Sequence, residues 1–123
     1  LGTPPINVFE GEVKGGRLLI GGEAVLSVGS VPDQPVWAGI RPEGFILQEG
    51  GPLRCELSRV EVMGRDVSIL SAHKSCAGQT MRAIISADQP VDAGSGTVCF
   101  ALKPHKTFLF HRETEARIPF NAR

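Results

Sequence analysis

The sequence predicts an all-β domain, folded as a small barrel or as two barrel-like lobes of about nine or ten short strands. Fifteen glycines and nine prolines interrupt the 123-residue chain at short intervals. The stretches between them are rich in Val, Ile, Leu and Phe, and no window keeps apolar residues at helical spacing. One short helix or turn is expected at 112–116. The predicted strands, in chain order, are 8–13, 17–20, 23–28, 36–40, 45–47, 53–63, 66–72, 79–85, 97–102 and 107–110.

The first three strands form two hairpins in this prediction. Gly15-Gly16 and Gly21-Gly22 supply the positive φ angles that tight hairpin turns require. In the third strand the residues of one parity are apolar, so we expect that side of the strand to face the core. Those residues are Ala24, Leu26 and Val28.

Prolines and a change of parity shape the middle of the chain. The segment 31–35 is predicted to be a loop, because its two prolines lack the N–H donor that a strand needs. Pro42 ends the fourth strand, and a short strand continues beyond the kink. Within 53–63 the apolar residues change parity near Ser58-Arg59, which predicts a bulge.

The second half of the chain is predicted to return through a hairpin at Gly64-Arg65-Asp66. The strands 79–85 and 97–102 alternate apolar and polar residues, so one face of each should reach the core. The residues expected on those faces are Met81, Ala83, Ile85, Val98, Phe100 and Leu102.

The balanced charge of the chain argues against nonspecific binding to a nucleic-acid backbone. Lys and Arg number 13, Asp and Glu also 13, and the formal net charge is +0, as in a soluble globular domain. A small cationic excess follows Lys103 and could face a partner. No apolar run approaches the length of a membrane helix. The chain opens without Met or a signal peptide, so we expect Leu1 to be the edge of a fragment.

The sequence contains no recognisable catalytic motif. It lacks a P-loop, the Gly-x-Ser-x-Gly nucleophile elbow and His-Glu-x-x-His, so we expect no catalytic residue, cofactor or metal ligand in this chain. The three cysteines form no Cys-x-x-Cys pair and are interpreted as reduced thiols, and the three histidines lack the spacing of zinc ligands. The carboxylates interpreted as solvated strand-edge charges rather than an acid–base pair are Glu10, Glu12, Glu61 and Asp66.

Most aromatic residues are expected in the core. Small β-barrels bind single strands by stacking bases on aromatic side chains above a basic groove. Here only Phe108 and Phe110, which share a parity beside the cationic tail, are candidates for exposed stacking. We therefore expect no nucleic-acid partner.

Four strings, in order along the chain, resemble the C-terminal regulatory domain of ATP-binding subunits from carbohydrate and glycerol-phosphate ABC importers, the maltose-importer class. Gly39-Ile40-Arg41-Pro42-Glu43 matches the family signature directly, and Val60-Glu61-Val62-Met63-Gly64 is similar to its Val-Glu-x-Leu-Gly hairpin. The first string is Gly2-Thr3-Pro4-Pro5-Ile6-Asn7, with Ile6 where Met is common. The last comprises Leu102-Lys103-Pro104 and Leu109-Phe110-His111, with His111 where Asp is common and Glu115-Ala116 in place of Gly.

The resemblance implies that residues 1–123 are one transport-associated (TOBE) domain with OB-like or MOP-like barrel lobes, which could be two interleaved lobes. It implies a preceding ATPase domain, absent from this chain, in which ATP and Mg²⁺ bind. The domain would regulate and hold together a homodimer, while permease subunits contact the ATPase domain. A regulatory protein could also dock. The parent subunit would lie on the cytoplasmic face of the bacterial inner membrane.

The residues expected to form the signature and a subunit interface are Gly39, Ile40, Arg41, Pro42, Glu43, Glu61, Gly64 and Phe110. Arg41 and Glu43, two residues apart in an extended segment, can project on the same side. They could pair with each other, clamp the fold internally or reach a second subunit. We expect the internal clamp, with the subunit contact as the alternative.

A second hypothesis is a small-oxyanion site of the kind found in related molybdate-importer barrels, formed by backbone amides and hydroxyls. The hydroxyls available for it are those of Ser27, Ser30, Ser71 and Ser75. The imported solute is not encoded in this domain, and sugar, polyol and glycerol phosphate all stay open.

Overall fold

The computed structural model describes residues 6–121, which form eleven β-strands and two 3-10 turns, so the all-β prediction is confirmed. The turns are Pro42–Gly44, here called the first corner, and Pro104–Lys106, the second corner. The strands are β1 Asn7–Lys14, β2 Arg17–Ile20, β3 Glu23–Ser27, β4 Gln34–Ile40, β5 Phe45–Leu47, β6 Leu53–Met63, β7 Asp66–Ala72, β8 Met81–Ser86, β9 Thr97–Leu102, β10 Thr107–His111 and β11 Arg117–Ile118.

The strands form two antiparallel sheets that curl into nearly closed, OB-like lobes. Sheet A has the order β11-β10-β4-β1-β2-β3, and sheet B has the order β5-β9-β6-β7-β8. Apolar side chains from both sheets form one buried cluster. The rings of Phe45 and Phe100 lie 5.1 Å apart within it. An isolated bridge between Phe9 and Cys76 joins the β7–β8 loop to β1.

The two halves of the chain repeat the same five-strand pattern and exchange their last strands. β5 follows β4 but pairs with β9, while β10 follows β9 but pairs with β4. The registers match as well, because Phe45 lies opposite Leu102 and Thr107 lies opposite Ile40. The lobes are therefore interlocked.

The predicted parity change in the longest strand is a bulge. The register of β6 against β7 shifts between Leu57 and Arg59, which leaves Ser58 as the extra residue. The bulge turns Val60 towards the same side as buried Ile69, its partner in β7.

Two local predictions are corrected. In β3 the buried residue is Val25 and Ala24 is exposed, because the register shift between Leu18 and Leu19 inserts Val25 as a bulge. Pro35, predicted to lie in a loop, belongs to β4. The pairing of β4 with β10 begins only at Val36, so the missing N–H of Pro35 removes no hydrogen bond between these two strands. The short helix or turn predicted at 112–116 is confirmed as a turn over 112–114, and the unpredicted strand β11 follows it.

Residues 6–121 contain no helix with the length and apolar character needed to cross a bilayer. The Gly2-Thr3-Pro4-Pro5 part of the first family string lies outside the described residues.

Candidate interface around the Gly39–Glu43 signature

The first corner is clamped to the second corner by reciprocal contacts. The Arg41 N–H donates to the Lys106 carbonyl at 3.1 Å, and the Lys103 N–H donates to the Gly44 carbonyl at 2.8 Å. Lys106 Nζ lies 3.6 Å from Glu43 Oε2. Glu43 therefore makes the internal contact, and it pairs with Lys106 rather than with Arg41.

Two glycines of this region allow close approach. A Cβ on Gly39 would lie 2.8 Å from Ile6 Cδ1 and 3.3 Å from Phe110 Cε2. A Cβ on Gly44 would lie 2.9 Å from Lys106 Cβ. The missing side chains let Ile6 and Phe110 cover β4 and let the corners touch.

The Arg41 guanidinium does not take part in the clamp. It lies 5.7 Å from the centroid of the Phe108 ring, and the Arg117 guanidinium lies 4.7 Å from the same centroid. Within residues 6–121 neither guanidinium forms an ion pair with a carboxylate. Arg41 is half-buried and Arg117 is exposed, so both remain accessible.

Asn7 joins the signature to sheet B. Its Nδ2 donates to the carbonyls of Ile40 at 3.0 Å and Arg82 at 2.9 Å, and its Oδ1 accepts from the Arg82 N–H at 2.9 Å. One side-chain amide thus ties the end of β4 to the free edge of β8. The other edge of β8 pairs with β7 in sheet B.

Glu61 belongs to a polar cluster on the outer face of sheet B. Its carboxylate lies 2.8 Å from Arg59 Nη2 and 3.5 Å from Arg82 Nη1, and Arg82 also donates to the Ser68 hydroxyl. Through Arg82 and Asn7, Glu61 is linked to Ile40 at the end of β4. Gly64 turns the β6–β7 hairpin with a φ of 70°.

Six of the predicted residues lie together where β4 pairs with β10: Gly39, Ile40, Arg41, Pro42, Glu43 and Phe110. Gly64 lies apart, at the hairpin tip beside Val62 and Met63, which are 75% and 55% exposed. The contacts of Asn7 with Ile40 and Arg82, and the place of Arg117 beside the Phe108 ring, were not predicted from the sequence. The repeated cation-proline pairs Arg41-Pro42 and Lys103-Pro104 were a sequence signal for the structural repeat that places β10 beside β4.

Two titratable side chains away from the corners have shifted pKa values. Burial, followed by the nearby Cys99 and Cys76 thiols, raises the pKa of the Cys55 thiol to about 12. All three cysteines are free thiols. Burial, and then Lys74, lowers the pKa of His73. Residues 6–121 hold no group of three or more His, Cys, Asp or Glu arranged for a metal.

The oxyanion hypothesis gains no support from the geometry. Its four serines lie on separate segments: Ser27 in β3, Ser30 in the loop that follows, Ser71 in β7 and Ser75 in the β7–β8 loop. A cavity of about 500 Å³ lies between β5, β9 and the 87–96 loop. Glu49 and Asp92 line it, and no lysine, arginine or histidine stands among its described lining residues. Such a cavity repels an anion.

The exchanged strands of the two sheets and the pairing of β4 with β10 define an OB-like all-β domain. The chain is similar in sequence to ATP-binding subunits of importers. Over 120 residues the chain is 28% identical to the sn-glycerol-3-phosphate import ATP-binding protein UgpC of Jannaschia sp. (strain CCS1). Over 119 residues it is 25% identical to the protein of the same name from Ruegeria sp. (strain TM1040).

Each alignment covers 96% of this chain but only 33% of the relative, so the chain spans a third of the length of the relatives it matches. No family model matches the chain. The resemblance to glycerol-phosphate-type ATP-binding subunits is confirmed by these relatives.

Proposed function

We propose that this chain is the regulatory and dimerisation domain of the ATP-binding subunit of an ABC importer. The observation that carries the proposal is the similarity to sn-glycerol-3-phosphate import ATP-binding proteins along 96% of the chain. Sugar, polyol and glycerol phosphate are the candidate solutes, and the names of the relatives favour glycerol phosphate. Residues 1–123 act as one domain that follows an ATPase domain.

In this proposal the chain performs no catalysis. ATP and Mg²⁺ bind in the ATPase domain, which also contacts the permease subunits on the cytoplasmic face of the inner membrane. The regulatory domain holds two subunits together while nucleotide exchanges. A regulatory protein that prefers one geometry of the dimer shifts the ATPase equilibrium by its differential affinity.

The interlocked fold supports a regulatory role. The reciprocal corner contacts and the Asn7 clamp join both lobes into one body. A partner that binds one lobe can then shift the position of the whole domain.

A chimaera tests the proposal. The matching third of the Jannaschia relative is replaced by this chain or deleted, and ATP-dependent uptake of sn-glycerol 3-phosphate is measured beside ATP hydrolysis. We expect the deletion to lower uptake and to weaken association of the subunits, and the chimaera to restore both. Equal uptake and association with and without the segment would contradict the proposal.

The isolated chain offers a second test. Sedimentation equilibrium over a wide concentration range should show self-association. Arg41→Ala should weaken it while leaving the melting temperature unchanged, because the corner is clamped by Glu43 and by the backbone rather than by the Arg41 side chain.

A further inference from the structure

The cavity at one end of sheet B has the size of a small-molecule site. Its volume is about 500 Å³, and it lies where β5 ends and β9 begins, beside the 87–96 loop that follows β8. Small-molecule sites occupy roughly 300–1,000 Å³ and are frequent where the strands of a barrel open into loops. The cavity is therefore large enough for a small organic ligand.

One wall of the cavity is apolar and continues the core. Val98 belongs to the buried cluster, and Leu47 and Val91 are half-buried and pack against it. All three side chains also line the cavity. A ligand with a hydrocarbon portion can bury that portion against this wall.

The charged side chains that line the cavity are both carboxylates. Glu49 lies just beyond β5 and Asp92 lies in the 87–96 loop, and neither forms an ion pair within residues 6–121. Asp92 Oδ1 accepts a hydrogen bond from the Gly94 N–H at 3.1 Å. Arg54, which lies opposite Cys99 in the register of β6 with β9, is not among the described lining residues. Two carboxylates without a neighbouring cation make the cavity attractive to positive charge.

The other hydrogen-bonding side chains of the cavity are uncharged. They include the amides of Gln48 and Gln89 and the hydroxyl of Thr97. None of these groups can neutralise a carboxylate, but each offers an oxygen that accepts a hydrogen bond. They can therefore share the donors of a bound cation with the two carboxylates.

From these observations we infer that the cavity binds a small organic cation, an ammonium group carried on a short aliphatic chain. The aliphatic chain packs against the apolar wall, and the ammonium group donates hydrogen bonds to Glu49 and Asp92. A neutral polyol leaves the negative charge of the cavity uncompensated, and an organic anion is repelled by it. The inference goes beyond the proposed function, because a cation can bind to this lobe without self-association or an ATPase domain.

Calorimetric titration of the 123-residue chain with 1,4-diaminobutane tests the class of ligand. The matched neutral compound is 1,4-butanediol, which has the same carbon chain with hydroxyl groups in place of the ammonium groups. At equal ionic strength we expect saturable binding of the diamine at one site. The diol and sn-glycerol 3-phosphate should show no saturable binding.

Neutral variants of the two carboxylates test the place of binding. Glu49→Gln and Asp92→Asn should each weaken the binding of 1,4-diaminobutane by about tenfold, because each removes one charge and keeps the shape of the side chain. Asparagine also keeps the Oδ1 acceptor for the Gly94 N–H. The control Glu23→Gln removes the same charge from an exposed position in β3, away from the cavity, and should bind like the unaltered chain.

The thiol of Cys99 supplies a second readout within the cavity. Cys99 is half-buried and lines the cavity, whereas Cys76 is half-buried in the β7–β8 loop and Cys55 is buried in the core. Saturating 1,4-diaminobutane should slow the alkylation of Cys99 by iodoacetamide and leave that of Cys76 unchanged. The two thiols lie on separate tryptic peptides, because Arg82 stands between them, so mass spectrometry measures each rate.

Each contrary result would overturn the inference. Absence of saturable diamine binding together with unprotected Cys99 would show that the cavity takes no organic cation. Equal affinity for the diol and the diamine would show that charge is not recognised. An equal loss of affinity in Glu23→Gln and in the cavity variants would reduce the effect to general attraction by the chain. None of these results bears on the proposed function, which uptake and subunit association test separately.

Discussion

His73 ties the β7–β8 loop to sheet A in a way that depends on its charge. Its Nδ1 accepts a hydrogen bond from the Ser75 N–H at 3.0 Å, and its ring lies 5.8 Å from that of Phe9. Burial, and then Lys74, lowers the pKa of His73, so the folded chain binds this proton less tightly than the unfolded chain. The resulting stability is present above a pH of about 6.5 and is lost as the pH falls below it.

We therefore expect the free energy of unfolding to decrease between about pH 7 and pH 5 in urea titrations. His73→Gln should flatten this dependence. His105→Gln is the matched control, because His105 is exposed in the second corner, and it should keep the slope. A slope that survives in His73→Gln would assign the effect to another group.

At the scale of residues, the sequence predicts which side chains lie at the surface better than it predicts which side chains contact one another. Phe108 and Phe110 were identified as surface aromatics from their parity and the cationic tail. The sequence predicts that the corner clamps the fold, and in the structure Glu43 lies 3.6 Å from Lys106, so the clamp stays a prediction. Arg41 was grouped with Glu43 because the two are close along the chain, whereas its contact with Phe108 depends on the pairing of β10 with β4.

At the scale of elements, Asn7 replaces a missing strand at the edge of β8. Asn7→Ala removes three hydrogen bonds and leaves the Arg82 N–H and carbonyl without that partner. We expect a loss of about 2 kcal/mol in the free energy of unfolding, measured by urea denaturation. Hydrogen exchange of the Arg82 amide should accelerate. The control Asn121→Ala alters an exposed amide, and an equal loss in both variants would refute the clamp.

The contact between the corners sets a second prediction. Gly44→Ala places a Cβ 2.9 Å from Lys106 Cβ and 3.2 Å from the Lys106 carbonyl oxygen, so the corners must separate. We expect a destabilisation of about 1–3 kcal/mol by thermal or urea unfolding. Gly78→Ala is the matched substitution, with its nearest neighbour at 3.7 Å. It should stay within about 0.5 kcal/mol of the unaltered chain.

The strands themselves were predictable because their signals are local. Turn glycines, prolines and alternation delimit them, and the parity change at Ser58 revealed the bulge of β6. The bulge at Val25 was missed because Val25 is apolar like its neighbours, so no change of parity marks it. The two-residue β11 is too short to carry an alternation signal.

At the scale of the whole molecule, the exchanged strands make each lobe dependent on the other half of the chain. We expect one cooperative unfolding transition. Chains cut between Gly50 and Gly51 should give two fragments that lack stable β-structure alone, because β4 then lacks β10 and β9 lacks β5. Mixing them should restore the far-ultraviolet circular dichroism of the intact chain. Cooperative unfolding of either fragment alone would show that the lobes are independent.

The exchange itself was not predicted beyond the expectation of two lobes that could interleave. Strand pairing between distant segments leaves no periodicity within either segment, so local pattern analysis cannot detect it. A comparison of the two halves of the sequence would have aligned Arg41-Pro42 with Lys103-Pro104 and suggested the repeat.

The pairing of β10 with β4 also dictates when the domain can finish folding during translation. A ribosome makes the chain from its N-terminus, so β4 emerges long before the strand that covers its open edge. Until Thr107–His111 leaves the exit tunnel, the β4 edge is available to any other extended chain nearby. The nascent first half is thus exposed to misassembly until β10 has been made.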